Sequence, residues 1–253
     1  MTHMEPSTIK KLNRLNQEFY QKVASSFDQT RQYSWQGWKQ LLPLLQEITQ
    51  PFRVLDIGCG NARFAKFLED NQFKFSYHGV DSSSELLEVA SSSLKELDIE
   101  FQLNQFDVLE DLLNDSLTTK LTQKYDLVVA FGLLHHLPSF NLRQKLFKNI
   151  SHFLANKQSL AAITAWQFAA DKRFENKYAD PSKINLPKDQ LEKNDYILGW
   201  QDHPTAFRYC HFVDDEEIKK LSQNLENLKL IDNFLADGKS NQLNRYLILK
   251  NET

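Results

Sequence analysis

Three groups of residues in this chain are spaced for chemistry. The first is Asp56-Ile57-Gly58-Cys59-Gly60-Asn61, which closes a short apolar run and opens a stretch of helical periodicity. Glycines at 58 and 60 let a backbone turn tightly and approach a ligand with no Cβ in the way. Asp81 stands 25 positions after Asp56, at the end of the next apolar run. There its carboxylate can accept hydrogen bonds from both hydroxyls of an adenosine ribose, and Ser82 follows directly at the same ligand edge. The second group is Gly132 with the imidazole pair His135-His136, just after a fourth apolar run. Ligands of parallel sheets sit outside the carboxyl ends of the strands, so these residues face a substrate, although one of the two imidazoles equally reads as packed. The third group is Arg31 and Arg208, each among aromatics: Tyr33 and Trp35 beside one, Tyr209, His211 and Phe212 beside the other. A guanidinium fork pairs with both oxygens of a carboxylate, which makes these two the candidate anion holders.

The elements that must position these groups alternate. Apolar runs at 53–57, 75–80, 100–105, 125–131 and 159–164 predict five strands, with helical periodicity between them, notably over 61–71 and 141–154. That alternation is the signature of an α/β fold with a parallel sheet covered on both faces. Upstream, Ile9, Leu12, Leu15, Phe19, Val23 and Phe27 recur at three- and four-residue steps and predict an amphipathic helix, and Trp38, Leu41, Leu42 and Leu45 a second, with Pro43 in its first turns. Downstream, a helix over 214–225 precedes strands at 228–235 and 243–250, joined by Asp237-Gly238-Lys239-Ser240. This pair reads as a hairpin that places an antiparallel strand at or near the sheet edge. Residues 166–213, polar and aromatic, are too long for a simple connection and read as a cap over the site. The organisation expected is an N-terminal helical segment, 1–50, and a domain over 51–253 with the cap as an insertion.

A dinucleotide site of the Gly-x-Gly-x-x-Gly type needs glycine at 63, which is Arg63. The pattern Asp56-x-Gly58-x-Gly60-x-Ala62 instead resembles the S-adenosylmethionine loop of class I methyltransferases, with Ala62 where a third glycine is more usual. The resemblance implies a Rossmann-like, mostly parallel seven-stranded sheet with S-adenosylmethionine as cofactor. It puts Asp56 near the amino-acid end of the cofactor and Asp107 at the adenine amino group. Two further segments are similar to the tRNA wobble-uridine carboxymethyl methyltransferases: Phe19-Tyr20 through Thr30-Arg31, Tyr33, Trp35 and Trp38, and Arg208-Tyr209-Cys210-His211-Phe212, together with Trp166 after the fifth strand. That family turns 5-carboxymethyluridine into its methyl ester, so tRNA becomes the expected partner, with a small activator subunit as a second. The departures are Leu137 for the family's tryptophan after the two histidines, Asn244-Arg245-Tyr246 for its paired aromatics, and Cys210 for a tyrosine.

A carboxylate oxygen is anionic at neutral pH and attacks a methyl donor without a general base, so such an enzyme mainly holds two reactants in line and excludes water. Arg31, His135 and Arg208 are the expected catalytic group. Tyr33, Trp35, His136, Trp166, Tyr209 and His211 are expected to face the substrate, the aromatics by stacking on a flipped base. Trp38 reads as packing, and Trp35 equally as packing or as a wall.

With 253 residues, 41% hydrophobic and 25% charged, the chain buries a core and is not disordered as a whole. A net charge of −3 argues against wrapping nucleic acid by bulk charge. Lys10, Lys11 and Arg14 cluster, but the cap cations at 172, 173, 177, 183, 188 and 193 are offset by acids at 171, 175, 180, 189, 192 and 195. Cys59 and Cys210 form neither a disulfide framework nor zinc spacing, so no metal is expected. No apolar stretch has the length of a span or signal, and a cytoplasmic protein is expected. Two other readings stand beside the tRNA enzyme: a small-molecule O-methyltransferase with the same site, and a non-catalytic cofactor-binding scaffold.

Overall fold

In the computed structural model the described residues are 4–29, 33–200, 203–223, 225 and 227–252, with backbone alone at 24–29 and 204. Helix α1 (Pro6–Gln29) leads through a 3-10 turn (Gln36–Leu41) to α2 (Leu42–Gln46), where Pro43 occupies the first turn. Then follow β1 (Phe52–Ile57), α3 (Arg63–Asp70), β2 (Phe75–Asp81), α4 (Ser84–Leu94), β3 (Phe101–Gln105), α5 (Val108–Leu113), α6 (Leu117–Lys120), β4 (Leu127–Ala130), α7 (Phe140–Phe153) and β5 (Leu160–Trp166). The region after β5 holds β6 (Tyr178–Ala179), β7 (Asp195–Trp200) and β8 (His203–His211), and the chain ends with α8 (Asp215–Ser222), β9 (Leu228–Ala236) and β10 (Asn244–Asn251).

Seven strands form one sheet in the order β3-β2-β1-β4-β5-β10-β9. The pairs β1–β2, β1–β4, β2–β3 and β4–β5 are parallel, and β10 is antiparallel to both β5 and β9. The antiparallel strand is therefore the last one, slotted inside the sheet, and β9 takes the edge. The turn between them runs through Asp237 (φ 68°) and Gly238 (φ 69°). Strand periodicity divides the core in two. Leu55, Ile57, Val128 and Ala130 point into one apolar cluster, and Val54, Leu127 and Val129 into the other, as a sheet covered on both faces requires. Met4, Ile9 and Leu12 join the first cluster, and Trp38, Leu41, Leu45 and Ile48 the second, so the N-terminal segment helps close both.

Two of the boundary shifts have local reasons. The helix expected from residue 61 begins at Arg63, because Ala62 sits at φ 58° and belongs to the turn. The strand expected over 125–131 is shorter, and Tyr125 instead bridges to Leu154. Between β5 and α8, strands β6-β7-β8 form a separate sheet, on which α1 packs Phe19 and Val23 against Ala206. Among the described residues no helix is long and apolar enough to cross a membrane.

Candidate active site

The loop after β1 is pinned to β2. The amides of Gly58 and Cys59 donate to the Val80 carbonyl at 2.8 and 3.0 Å. Gly60 N donates to one oxygen of Asp81 at 2.9 Å, and Ser83 N to the other at 2.9 Å. Gly58 and Gly60 both lie at positive φ, and a Cβ on Gly60 would meet nothing within 4 Å. The loop thus offers an open, side-chain-free edge beside a carboxylate, which fits a bound nucleoside. Cys59 turns its thiol into the core, leaving only its backbone at the loop. Asn61 is half-buried, and Ser82 is exposed with its carbonyl held by Gln105. Ser83 rather than Ser82 caps α4.

Asp56 lies under this loop, buried, with the Tyr77 hydroxyl donating to it at 2.7 Å. Burial pushes its carboxyl up to about 7, against the Tyr77 bond that favours the anion. Burial also raises Asp81, countered by the backbone amides of Ser83 and Gly60. Two carboxylates of low solvation at one loop make a site that rewards a positively charged ligand.

Beyond β3, one Asp107 oxygen caps α5 by accepting from Leu109 N (2.9 Å) and Glu110 N (3.3 Å). The other accepts from the side-chain amides of Asn13 and Gln17 on α1, Gln17 at 2.8 Å. Helix α1 crosses the carboxyl ends of the strands here. One turn on, Asn16 accepts from Tyr209 N at 2.7 Å and approaches His136 Nδ1 at 3.3 Å, while the Tyr20 hydroxyl meets His136 Nε2 at 2.7 Å. Asn13, Asn16, Gln17 and Tyr20 recur at three- and four-residue steps beside the apolar stripe. That second periodicity was available in the sequence, but polar residues on an amphipathic helix read by default as its wet face.

Arg208, on β8, is the most unusual group in the molecule. It is 6% exposed, yet among the described residues it has no carboxylate partner, and its Nε–H finds no acceptor. Its guanidinium lies 4.7 Å from the Trp166 ring centroid, 5.0 Å from Phe19 and 5.9 Å from Trp200. Trp166, at the end of β5, also meets His135, whose ring centroid is 5.5 Å away, and His135 lies 4.1 Å from His136. The structure thus brings His135, His136, Trp166 and Arg208 together. Donor atoms of His135, His136 and Cys210 fall within 4.8 Å of one another, although burial pushes the Cys210 thiol up to about 12 and keeps it a packed, protonated group.

Other expected site residues are placed differently. Trp35 stacks on Trp38 at 5.5 Å, and its far ring edge lies 3.6 Å from where a Cβ on Gly132 would stand. Half-buried, it roofs Gly132, while Trp38 is core. Tyr33 is 86% exposed, with its carbonyl held by Arg63. Arg31 lies outside the described residues. Tyr209 and His211, expected at the substrate, lie in a buried ion network. Tyr209 donates its hydroxyl to Asp195 at 2.6 Å, and His211 bridges Asp195 and Glu217, both at 2.6 Å. Glu217 in turn binds Arg143 Nε, whose Nη2 reaches Glu192 at 2.9 Å and Nη1 the Leu137 carbonyl at 2.8 Å. Their polar atoms are consumed inside the fold, tying the β6-β7-β8 region to α7 and α8.

The methyltransferase domain family profile matches residues 27–229. Carboxy-S-adenosyl-L-methionine synthase of Campylobacter jejuni is 27% identical over 240 residues, covering 81% of this chain and 99% of that protein. The tRNA (carboxymethyluridine(34)-5-O)-methyltransferase of Arabidopsis thaliana is 22% identical over 199 residues, covering 72% of this chain and 44% of that protein. The 235L protein of Invertebrate iridescent virus 6 is 26% identical over 189 residues, and the chain spans 61% of its length. Among solved structures, an S-adenosylmethionine-dependent methyltransferase from Clostridium acetobutylicum shares the fold at a TM-score of 0.64, with 15% identity over 92% of this chain and 99% of that one.

Proposed function

We propose that this chain, which belongs to the methyltransferase domain family and is an S-adenosylmethionine-dependent transferase, methylates a carboxylate oxygen that Arg208 holds, the substrate being 5-carboxymethyluridine at the tRNA wobble position. One observation carries the carboxylate: a buried guanidinium that lies over the rings of Trp166 and Phe19 and has no counter-ion among the described residues. A buried charge without a partner is costly, and a planar ion stacked on rings has only its edge left to offer. That edge matches a carboxylate. The names of the Campylobacter and Arabidopsis relatives both describe a carboxyl-bearing molecule, which supports the same reading.

S-adenosylmethionine, when bound, supplies an electrophilic methyl group on a sulfonium. The Gly58–Gly60 edge and Asp81 hold its nucleoside, and the Asp56 carboxylate favours its positive charge. Arg208 orients the acceptor carboxylate by its edge, which needs no proton removed at neutral pH. His135 and Trp166 wall the reacting space, and His136, fixed by Tyr20, closes it against water. Asn61, Ser82 and Gly132 complete the cofactor side, and the exposed Tyr33 the approach to the nucleic acid.

The test is methyl transfer from labelled S-adenosylmethionine to bulk tRNA from cells lacking this gene, followed by nucleoside mass spectrometry. A methyl ester on a wobble uridine is expected, and its absence at saturating enzyme sinks the tRNA substrate. One observation favours a free small carboxylate as a second reading. Cations of the β6-β7-β8 region are offset locally, Arg173 by Asp171 at 2.7 Å, which weakens a phosphate-binding surface. Transfer to small carboxylates but not to tRNA is the outcome that selects it.

A further inference from the structure

Asp107 is the position at which the family resemblance expects the adenine amino group, and its carboxylate is already full. An ionised carboxyl offers about four lone-pair sites. Leu109 N and Glu110 N take one oxygen, and the amides of Asn13 and Gln17 take the other. Its neighbourhood is nonetheless the nucleoside end of the site. Phe106 N bonds the Asp81 carbonyl at 3.1 Å, and the Asp107 charge helps raise the Asp81 carboxyl. The four donors also fix something else. Because the NH2 group of each amide faces Asp107, the carbonyl oxygen of each faces away from it, and neither oxygen accepts a hydrogen bond from any described residue. Both side chains are half-buried, so these two oxygens are oriented acceptors beside the nucleoside site.

We infer that Asn13 and Gln17 on helix α1, oriented by Asp107, read the adenine base by accepting its amino group, and so make the N-terminal helix part of cofactor recognition. This rests on the reading of the loop as the S-adenosylmethionine site. It assigns Asp107 a positioning role: the carboxylate sets which end of each amide meets the base. A 6-amino purine presents a donor to those carbonyls, whereas a 6-oxo purine presents an acceptor and leaves them unsatisfied. The same helix carries Phe19, whose ring the Arg208 guanidinium overlies, and Tyr20, which holds His136. A base docked on α1 therefore braces the acceptor side of the site as well.

The experiment is calorimetric binding of S-adenosylhomocysteine and of its 6-oxo analogue S-inosylhomocysteine to the full chain, with no turnover required. The unaltered protein is expected to prefer the amino form by about tenfold or more. In Gln17→Lys and in Asn13→Lys the new ammonium bonds Asp107 as the amide did but carries no acceptor, so the preference should collapse or invert in at least one of them. Melting temperatures near that of the unaltered chain separate this from misfolding. A preference unchanged in both variants overturns the inference, as does an unaltered protein that binds both ligands equally. Failure of the unaltered protein to bind either ligand is a different result, and refutes the cofactor site itself.

Discussion

Two buried arginines show opposite uses of the same side chain. Arg143 on α7 is 1% exposed and fully engaged: Glu217, Glu192 and the Leu137 carbonyl take its donors. Arg208 on β8 is nearly as buried, but it is surrounded by ring faces and has no counter-ion among the described residues. Both side chains are removed from water, and only one of them is compensated by the fold. Compensation of the first kind makes a structural anchor. Its absence in the second keeps a charge available, with cation–π contacts of about 0.5–2 kcal/mol each offsetting part of the desolvation. Arg208 therefore marks the place where the fold withholds the partner it supplies elsewhere.

The largest way to break this comparison is Arg208→Met. Turnover should fall by about a thousandfold, the loss of a charge-assisted pair in a dry site, while cofactor affinity holds and thermal stability is unchanged or higher. A labelled methyl-transfer assay beside a melting curve reads both, and a drop in stability like that of a paired arginine would show that Arg208 is an anchor after all. Arg143→Met is the mirror experiment. It leaves Glu192 and Glu217 buried without their cation and should lose about 3–5 kcal/mol in urea unfolding, with the folded fraction still turning over normally.

Asp56 sharpens the same distinction with the opposite charge. Its carboxyl is raised from 3.8 to about 7 by burial, so the folded chain prefers the protonated form. Its contribution to stability is whole below about pH 4 and is lost as pH rises toward 7. Asp56→Asn should therefore stabilise the ligand-free protein by about 2–4 kcal/mol above pH 7 and little at pH 4, while weakening S-adenosylhomocysteine binding. Unfolding curves at the two pH values decide it. In the unaltered protein, affinity for the cationic methyl donor should rise with pH through the same range.

The smallest effect expected is at His211, at the far end of the Arg143 network. Burial disfavours the His211 imidazolium, but Asp195 and Glu217 outweigh it and hold the pKa above its ordinary value. That contribution is complete below about pH 6.5 and fades as pH rises through the raised value. Glu217 runs the other way: burial raises it, His211 and Arg143 pull it below the usual carboxylate range, and its share is lost in acid. His211→Asn should flatten the decline in stability as pH rises above about 6.5, and an unaltered slope would remove His211 from the network's energetics.

The sheet, the loop and the caged arginine differ in how legible they are. The run at 53–57 followed by Gly58 and Gly60 announces strand, turn and helix, because backbone freedom at a turn is a property of residue type. Asp81 at the end of the next run is legible for the same reason. Tyr209 and His211 stand in a motif-like string beside Arg208, yet alternate side chains of a strand face opposite ways. Only the pairing of β8 decides that Arg208 meets the aromatic cage while its neighbours meet Asp195. Arg143 carries no local signal of its role, since its partners lie 49 and 74 positions away, and Glu192 and Asp195 read as solvated surface acids.

The sequence by itself determined the alternation of strands and helices and the glycine turn after the first strand, and it narrowed the candidate anion holders to Arg31 and Arg208, because each depends on local periodicity or on what one side chain can do. The tertiary structure decided which charges are paired, that α1 lies across the strand ends with Asn13, Asn16, Gln17 and Tyr20 facing inward, and that the last strand enters the sheet interior. Those are long-range outcomes. A buried polar group is tolerated only where a partner from a distant segment arrives to satisfy it, and no local pattern records whether that partner comes.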